Sequence, residues 1–425
     1  VFIIFSGQVN ADNWRPNQVG AFLSSKIARS ITDIENSAYF AEYSYNRNPD
    51  SLALGAIALE ALLANGQITE ALPIGLKISK DMPEITLAQY INVINSLNSN
   101  ANEEVLSTLL KVSPNGIDNF ILPILQTWAA AGSNKELGGL EIMKGQANRG
   151  ILEPLYDYHS ALIYEFIGDI EKANIAYKNI IERSNNANAH VYSKAAIFFA
   201  NNGYSELYNE ALTKLEKIDP YSNELFILRN SNSYPSKNEI NTIKLGIAEV
   251  FMNAAEILFN EGLDRQALIY AQISSYLAPN SDSAFYLLGR IFKSIENNER
   301  AISYFKKVNQ YSLVAHDANI SYAETLYDLE GISNSTQYLE SFKKLFPTNI
   351  NYFRTLAELF YKADNFQKSI GYYDQIFQKI DNIEFKHWPL FYSSGIALER
   401  GNNWERAEKQ FLTALKFVPN NPQVL

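Results

Sequence analysis

The sequence predicts an all-α fold, a right-handed α-solenoid of stacked helix–turn–helix units. Three observations carry this. From Ala248 onward a pattern returns every 34 residues, with units starting at Ala248, Asp282, His316 and Ile350, and a fifth at Trp388 after a four-residue insertion. The eighth place of each unit is small (Ala255, Gly289, Ala323, Ala357, Gly395), and so is the twentieth (Ala267, Ala301, Ser335, Ser369, Ala407). Pro279, Pro347 and Pro419 close three of these units, and Asp381 closes a fourth. A fixed period with small residues where two helices cross marks an array whose helix pairs cannot bury their apolar faces alone and must stack.

Taken in order, the chain opens on the apolar stretch Val1–Ser6, followed by small or apolar residues at Val9 and Ala11. An apolar core before a small-x-small site reads as the tail of a secretory signal peptide over residues 1–11 whose charged start is missing. A first, degenerate unit runs from Gln18 to Pro49 with its second helix over Ile34–Tyr45, and the next starts at Leu52 with a turn at Asn65-Gly66. A short unit covers Thr86–Pro114, and a fourth starts at Asp118 with Trp128 in its first helix. The tract Gly138, Gly139, Gly145 and Gly150 predicts a bent or shortened second helix. Cleaner units start at Pro154 and Ala189. Phe226–Ser236, rich in Asn and Ser with Pro235, has loop composition and is either a surface insertion in a continuous array or the candidate hinge or boundary.

The expected organisation is therefore a leader remnant at 1–11, an N-terminal repeat array at 12–222, and an irregular break with a lead-in helix at 223–247. A regular array at 248–421 and the start of a further repeat at 422–425 follow. Within each unit Leu288, Phe292 and Phe305 illustrate the packing: Gly289 and Ala301 let two helices approach while the larger side chains fill the space beside them.

Composition excludes several functions. The chain of 425 residues has no Cys, which removes disulfides, thiolate metal sites and a Cys nucleophile. A net charge of −10 with no Lys/Arg cluster argues against a nucleic-acid partner. No run approaches the length of a membrane span. The four histidines, His159, His190, His316 and His387, lack the spacing of a metal site, and no phosphate-binding glycine loop is present. His159 and His387 read as packing or surface residues. No metal, no cofactor and no catalytic constellation is expected.

The units resemble tetratricopeptide repeats, closely for the last five and the two from Pro154 and Ala189, and less so for the first four. The order of features also resembles exported or envelope-associated tetratricopeptide proteins of alphaproteobacteria. The matching stretches are Leu122-Pro123 with Thr127-Trp128-Ala129, Tyr158–Ile163, Ala267–Ala271 and Trp388–Arg400. That resemblance implies a scaffold or adaptor acting through protein–protein interaction, in the periplasm as part of a membrane-associated envelope complex, with no catalytic residues. The alternatives are a cytoplasmic scaffold, a structural self-assembling array, and a regulatory or substrate-binding domain of a larger enzyme continuing beyond residue 425.

A stacked array of this kind curves, and the first helix of each unit lines the inner face through its second, fifth, ninth, twelfth and thirteenth places. Those places include Asp317 and Asn351. Tyr and Arg are enriched where binding energy concentrates, so Tyr286, Arg290, Tyr327, Arg354, Tyr361, Tyr392 and Arg400 are the candidate contacts, with Glu324 and Glu358 on the same line. Glu256, Glu324 and Glu358 read as solvated or as partners of Arg290 and Arg354. The ninth place never holds Asn (Ile197, Glu256, Arg290, Glu324, Glu358, Ile396), which argues against the subtype that grips a peptide's terminal carboxylate. The expected partner is an extended or helical segment of another protein.

Overall fold

A computed structural model describes residues 16–133, 153–183, 189–230 and 240–422. The expectations for residues 1–11, for the tract 138–150 and for 231–236 fall outside these residues. Helices in antiparallel pairs stack throughout, and no strand occurs among the described residues. The helices are α1 (Gln18–Ser30), α2 (Ile34–Arg47), α3 (Leu52–Asn65), α4 (Ile68–Asp81), α5 (Thr86–Asn98), α6 (Asn102–Leu109) and α7 (Asp118–Gly132). Then come α8 (Glu153–Ile167), α9 (Ile170–Arg183), α10 (Ala189–Asn201), α11 (Ser205–Ile218) and α12 (Asn223–Asn230). They are followed by α13 (Ile243–Asn260), α14 (Asp264–Leu277), α15 (Asp282–Ser294), α16 (Asn298–Phe305), α17 (Ala315–Glu330) and α18 (Ile332–Leu345). The last four are α19 (Ile350–Lys362), α20 (Phe366–Phe377), α21 (Trp388–Arg400) and α22 (Trp404–Phe417).

The small places do what their spacing predicts. Ala255, Ala323, Ala357, Ala267, Ala301, Ser335, Ser369 and Ala407 are fully buried. A Cβ added at Gly289 would stand 2.3 Å from the Phe305 ring, and one at Gly395 would stand 2.5 Å from the Phe411 ring. The turn inside every described pair except α17–α18, where Gly331 stands one place later, carries a second regularity. The fifteenth place takes the left-handed backbone at Thr32, Gly66, Asn100, Gly168, Gly203, Gly262, Glu296, Asp364 and Asn402. One left-handed residue there ends the first helix and reverses the chain.

The chain divides into two compact units, and each is discontinuous in sequence. One takes residues up to 147 together with Thr242–Pro279; the other takes Asn148–Asn241 and Asn280–Leu425. This cuts across the expected division at 223–247, because the repeat from Ala248 belongs with the first unit. There α13 packs on α7, and α14 packs on α3 and α4. The lead-in helix and the first helix of that repeat are one helix, α13, starting at Ile243, with the Thr242 hydroxyl capping it. A Cβ at Gly246 would stand 2.3 Å from the Trp128 ring, so that glycine is where α13 closes on α7.

Polar contacts tie the α13–α14 hairpin into the first unit. The Asp118 carboxylate, buried, accepts hydrogen bonds from both the Tyr90 and Tyr270 hydroxyls at 2.7 Å. The Arg29 guanidinium grips Glu60 with two bonds of 2.9 and 2.8 Å, and Arg265 Nε adds a third contact to Glu60 at 3.1 Å. Gly66, at the end of α3, has φ +80 and the Gln272 side chain directly over it, so both its backbone and the space above it call for glycine.

In the second unit, α8–α12 form one run of packed helices and α15–α22 another. Residues 226–230, expected to belong to the irregular break, form the end of α12. Leu225 and Leu228 are buried, and the Tyr208 hydroxyl of α11 donates to the Leu228 carbonyl, which holds α12 onto the preceding pair.

Candidate functional site

The second unit brings the first helices of its later repeats into one row. On α15, the Arg290 guanidinium lies 5.6 Å from the Tyr286 ring centre. Lys293, one turn further, donates to Glu324 of α17 at 2.5 Å. Arg354 on α19 reaches Glu358 one turn along the same helix at 3.8 Å. Tyr327 packs beside the buried core of Ala323, Leu339 and Leu356, and Tyr361 packs against Phe366 at 5.6 Å between ring centres.

The charges of this row act on one another across helices. Burial raises the Tyr286 hydroxyl well above its ordinary value, with Asp317 and Glu324 adding to the shift and Arg290 opposing it. The Glu358 carboxyl is also held up, by the surrounding protein and by Glu324, against Arg354 and Lys362. Tyr286, Arg290, Glu324, Arg354 and Glu358 are therefore electrostatic neighbours on the first helices of three successive repeats, α15, α17 and α19. On α21, Tyr392 packs against Trp388 and Phe411, and Arg400 is exposed at the helix end.

Sequence reasoning missed what lies at the N-terminal end of this row. The end of α11, the turn after it and the start of α12 run along the beginnings of α17 and α19 and the turn before α21. The Asn223 amide donates to Asp317 Oδ1 at 2.7 Å, and its oxygen accepts from Asn349 at 2.7 Å and Asn351 at 3.3 Å. Asn351 also donates to the Tyr221 carbonyl. The Tyr221 hydroxyl donates to the Lys386 carbonyl at 3.2 Å, and the Lys386 ammonium reaches Glu216 at 3.1 Å. Phe226 meets the ring of buried His316 edge-on at 5.9 Å.

Asp317 and Asn351 stand at the second place of their repeats, a place that periodicity assigns to the inner face. A search for aromatic and Arg contacts passes over them, and the residues they hold lie 94 and 128 positions away in the chain. No local signal announces such a pairing. Burial pushes the Asp317 carboxyl up to about 7, with Glu224 and Asp219 adding and the Asn223 amide and Arg290 opposing.

The histidines take packing roles. His159 is fully buried, His387 is buried with Nδ1 accepting from the Glu384 amide at 2.8 Å, and burial holds His316 down at about 4. No group of three or more His, Asp or Glu able to hold a metal ion occurs among the described residues. Among them no helix is long and apolar enough to cross a membrane.

No family model matches the chain, and no curated protein matches it. Solved structures are similar to it at low identity. YrrB, described as a TPR protein with an unusual peptide-binding site, is 17% identical over 42% of this chain and 89% of its own, with a TM-score of 0.31. PilW, a type IV pilus biogenesis factor, is 12% identical over 56% and 98%, with a TM-score of 0.37. Yeast Tom70 is 14% identical over 96% and 86%, with a TM-score of 0.38.

Proposed function

We propose that this protein is a non-catalytic scaffold or adaptor that binds a segment of a partner protein along the row formed by α15, α17, α19 and α21. The observation that supports it best is the row itself. Tyr286 with Arg290, Glu324 with Lys293, and Arg354 with Glu358 place aromatic rings and both signs of charge on the first helices of successive repeats. Rings beside paired charges can hold an extended or helical segment by apolar contact and fix its register by charge. Tyr327, Tyr361, Tyr392 and Arg400 extend the surface along the same helices. The reading places the protein in the periplasm, within a membrane-associated envelope complex. It rests there on the apolar Val1–Ser6 stretch before Val9 and Ala11 and on the absence of Cys.

A photo-crosslinking side chain placed at Tyr327, compared with one at Ser341 on the exposed side of α18, tests the row in native cells. A single protein adduct from position 327 and none from 341 is the expected result. Adducts of equal yield from both positions would contradict the assignment. Fractionation of the same cells tests the compartment: recovery with periplasmic markers is expected, and recovery with cytosolic markers would contradict export.

A further inference from the structure

We propose that Asp317, Asn349, Asn351 and Arg354 form a peptide-binding subsite at the N-terminal end of the row, occupied here by residues 216–226 of the chain as a displaceable resident ligand. This deepens the preceding reading and rests on it. Asn223 and the Tyr221 carbonyl meet the subsite through polar contacts, an amide–carboxylate bond to Asp317 and amide bonds from Asn349 and Asn351, while the Tyr221 ring packs beside the buried core that includes Phe353, Tyr373 and Leu390, and Phe226 meets His316.

The resident satisfies the subsite only in part. Asn351 is 5% exposed, and while its amide nitrogen is bonded, its Oδ1 has no hydrogen-bond partner. Three residues on along α19, Arg354 Nε is also buried without a hydrogen bond, its carboxylate neighbour Glu358 being 3.8 Å away. A buried acceptor and a buried donor left open one helical turn apart are costly to leave unmade. They suit a ligand that offers a donor and an acceptor together, as a backbone peptide group or an Asn or Gln side chain does. A partner segment carrying such an amide meets a demand that residues 216–226 leave open, which gives it the advantage needed to displace them.

The anchoring of α12 fits this role. Its apolar side, Leu225 and Leu228, is held by the preceding helices, and Ser193 Oγ donates to Glu224 Oε2 at 2.5 Å. The other side, Asn223 with the turn at Tyr221, makes the contacts to the subsite. Release of that side leaves the apolar side packed.

A fluorescently labelled peptide with the sequence of residues 216–230 serves as the probe, added to the full chain and followed by anisotropy. Wild type should bind it weakly, because its site is filled. The Tyr221→Ala/Asn223→Ala chain should bind it at least tenfold more tightly, and adding Asn351→Leu should return binding to the wild-type level. Lys386→Ala, which removes the ammonium contacts to Glu216 and Glu384, should move binding two- to threefold in the same direction. Equal binding by wild type and both weakened chains would overturn the proposal. So would a cooperative loss of helicity in the Tyr221→Ala/Asn223→Ala chain, since that would make the segment a fixed part of the core. The assay contains no partner protein, so its failure leaves capture at Tyr327 standing, and failure of that capture leaves this result standing.

Discussion

Gly289 and Asp317 show how single residues set the terms of this fold. A Cβ at Gly289 would enter the Phe305 ring at 2.3 Å, far inside contact distance. Gly289→Ala should therefore destabilise the second unit by about 1–3 kcal/mol, the range for overpacking a filled core, read as a lower urea midpoint with an unchanged slope. Asp317 gives a pH prediction. Its carboxyl is held at about 7 in the folded chain against an ordinary value of 3.8, so the folded state holds the proton more tightly. Stability contributed by this group is complete below pH 3.8 and falls as pH rises toward about 7, where Asp317 ionises beside Glu224 and Asp219. His316, held at about 4 against 6.5, contributes the opposite slope over part of that range. The informative comparison is thus wild type with Asp317→Asn at pH 5 and pH 7.5, in which the His316 contribution cancels. Wild type should lose more stability than the variant between the two values, and an equal loss would show that Asp317 titrates normally. Gly289 was legible in the sequence because its reason is local, a small place facing a Phe one helix on. The Asp317 environment was not, because Asn223 comes from a distant part of the chain.

At the scale of the helix pair, the turn residue is the regular feature. Where the fifteenth place is Gly, the left-handed backbone is free of strain; at Glu296, φ +62, it is not. The left-handed form costs a residue with a Cβ about 1–2 kcal/mol, while glycine costs about 0.5–1 kcal/mol in lost freedom. Glu296→Gly should accordingly stabilise the second unit by up to about 1 kcal/mol in urea unfolding. Five units hold Gly at this place (Gly66, Gly132, Gly168, Gly203, Gly262), four of them in the left-handed region, a signal present in the sequence beside the period. The α13–α14 hairpin makes a sharper case. Asp118→Ala would leave the Tyr90 and Tyr270 hydroxyls buried without their acceptor, at about 1–3 kcal/mol each. Asp118→Asn keeps an oxygen in place and should cost much less. Similar losses from both variants in thermal unfolding would show that the shared carboxylate does not secure the hairpin.

For the molecule as a whole, the period made the helices and their pairing legible almost to the residue: α3 starts at Leu52, α5 at Thr86, α7 at Asp118 and α19 at Ile350, as spacing predicts. It did not reveal which repeats gather into which compact unit. A repeat pattern says that each pair stacks on something apolar, and its consecutive neighbour is the simplest candidate. That the pair from Ile243 to Leu277 packs on α3, α4 and α7 depends on Trp128 meeting Gly246 and on Asp118 meeting Tyr270, pairings with no spacing rule. The candidate site divides in the same way. Its aromatic and charged row followed from periodicity, while the resident segment at its end did not. The measurement that tests the central claim most directly is crosslinking capture from native cells by wild type and by Tyr327→Ala/Arg354→Ala/Tyr361→Ala, with circular dichroism confirming that both are folded. The account predicts one partner protein captured by wild type and lost from the folded variant. Equal capture by both would contradict it and move the binding surface off this row.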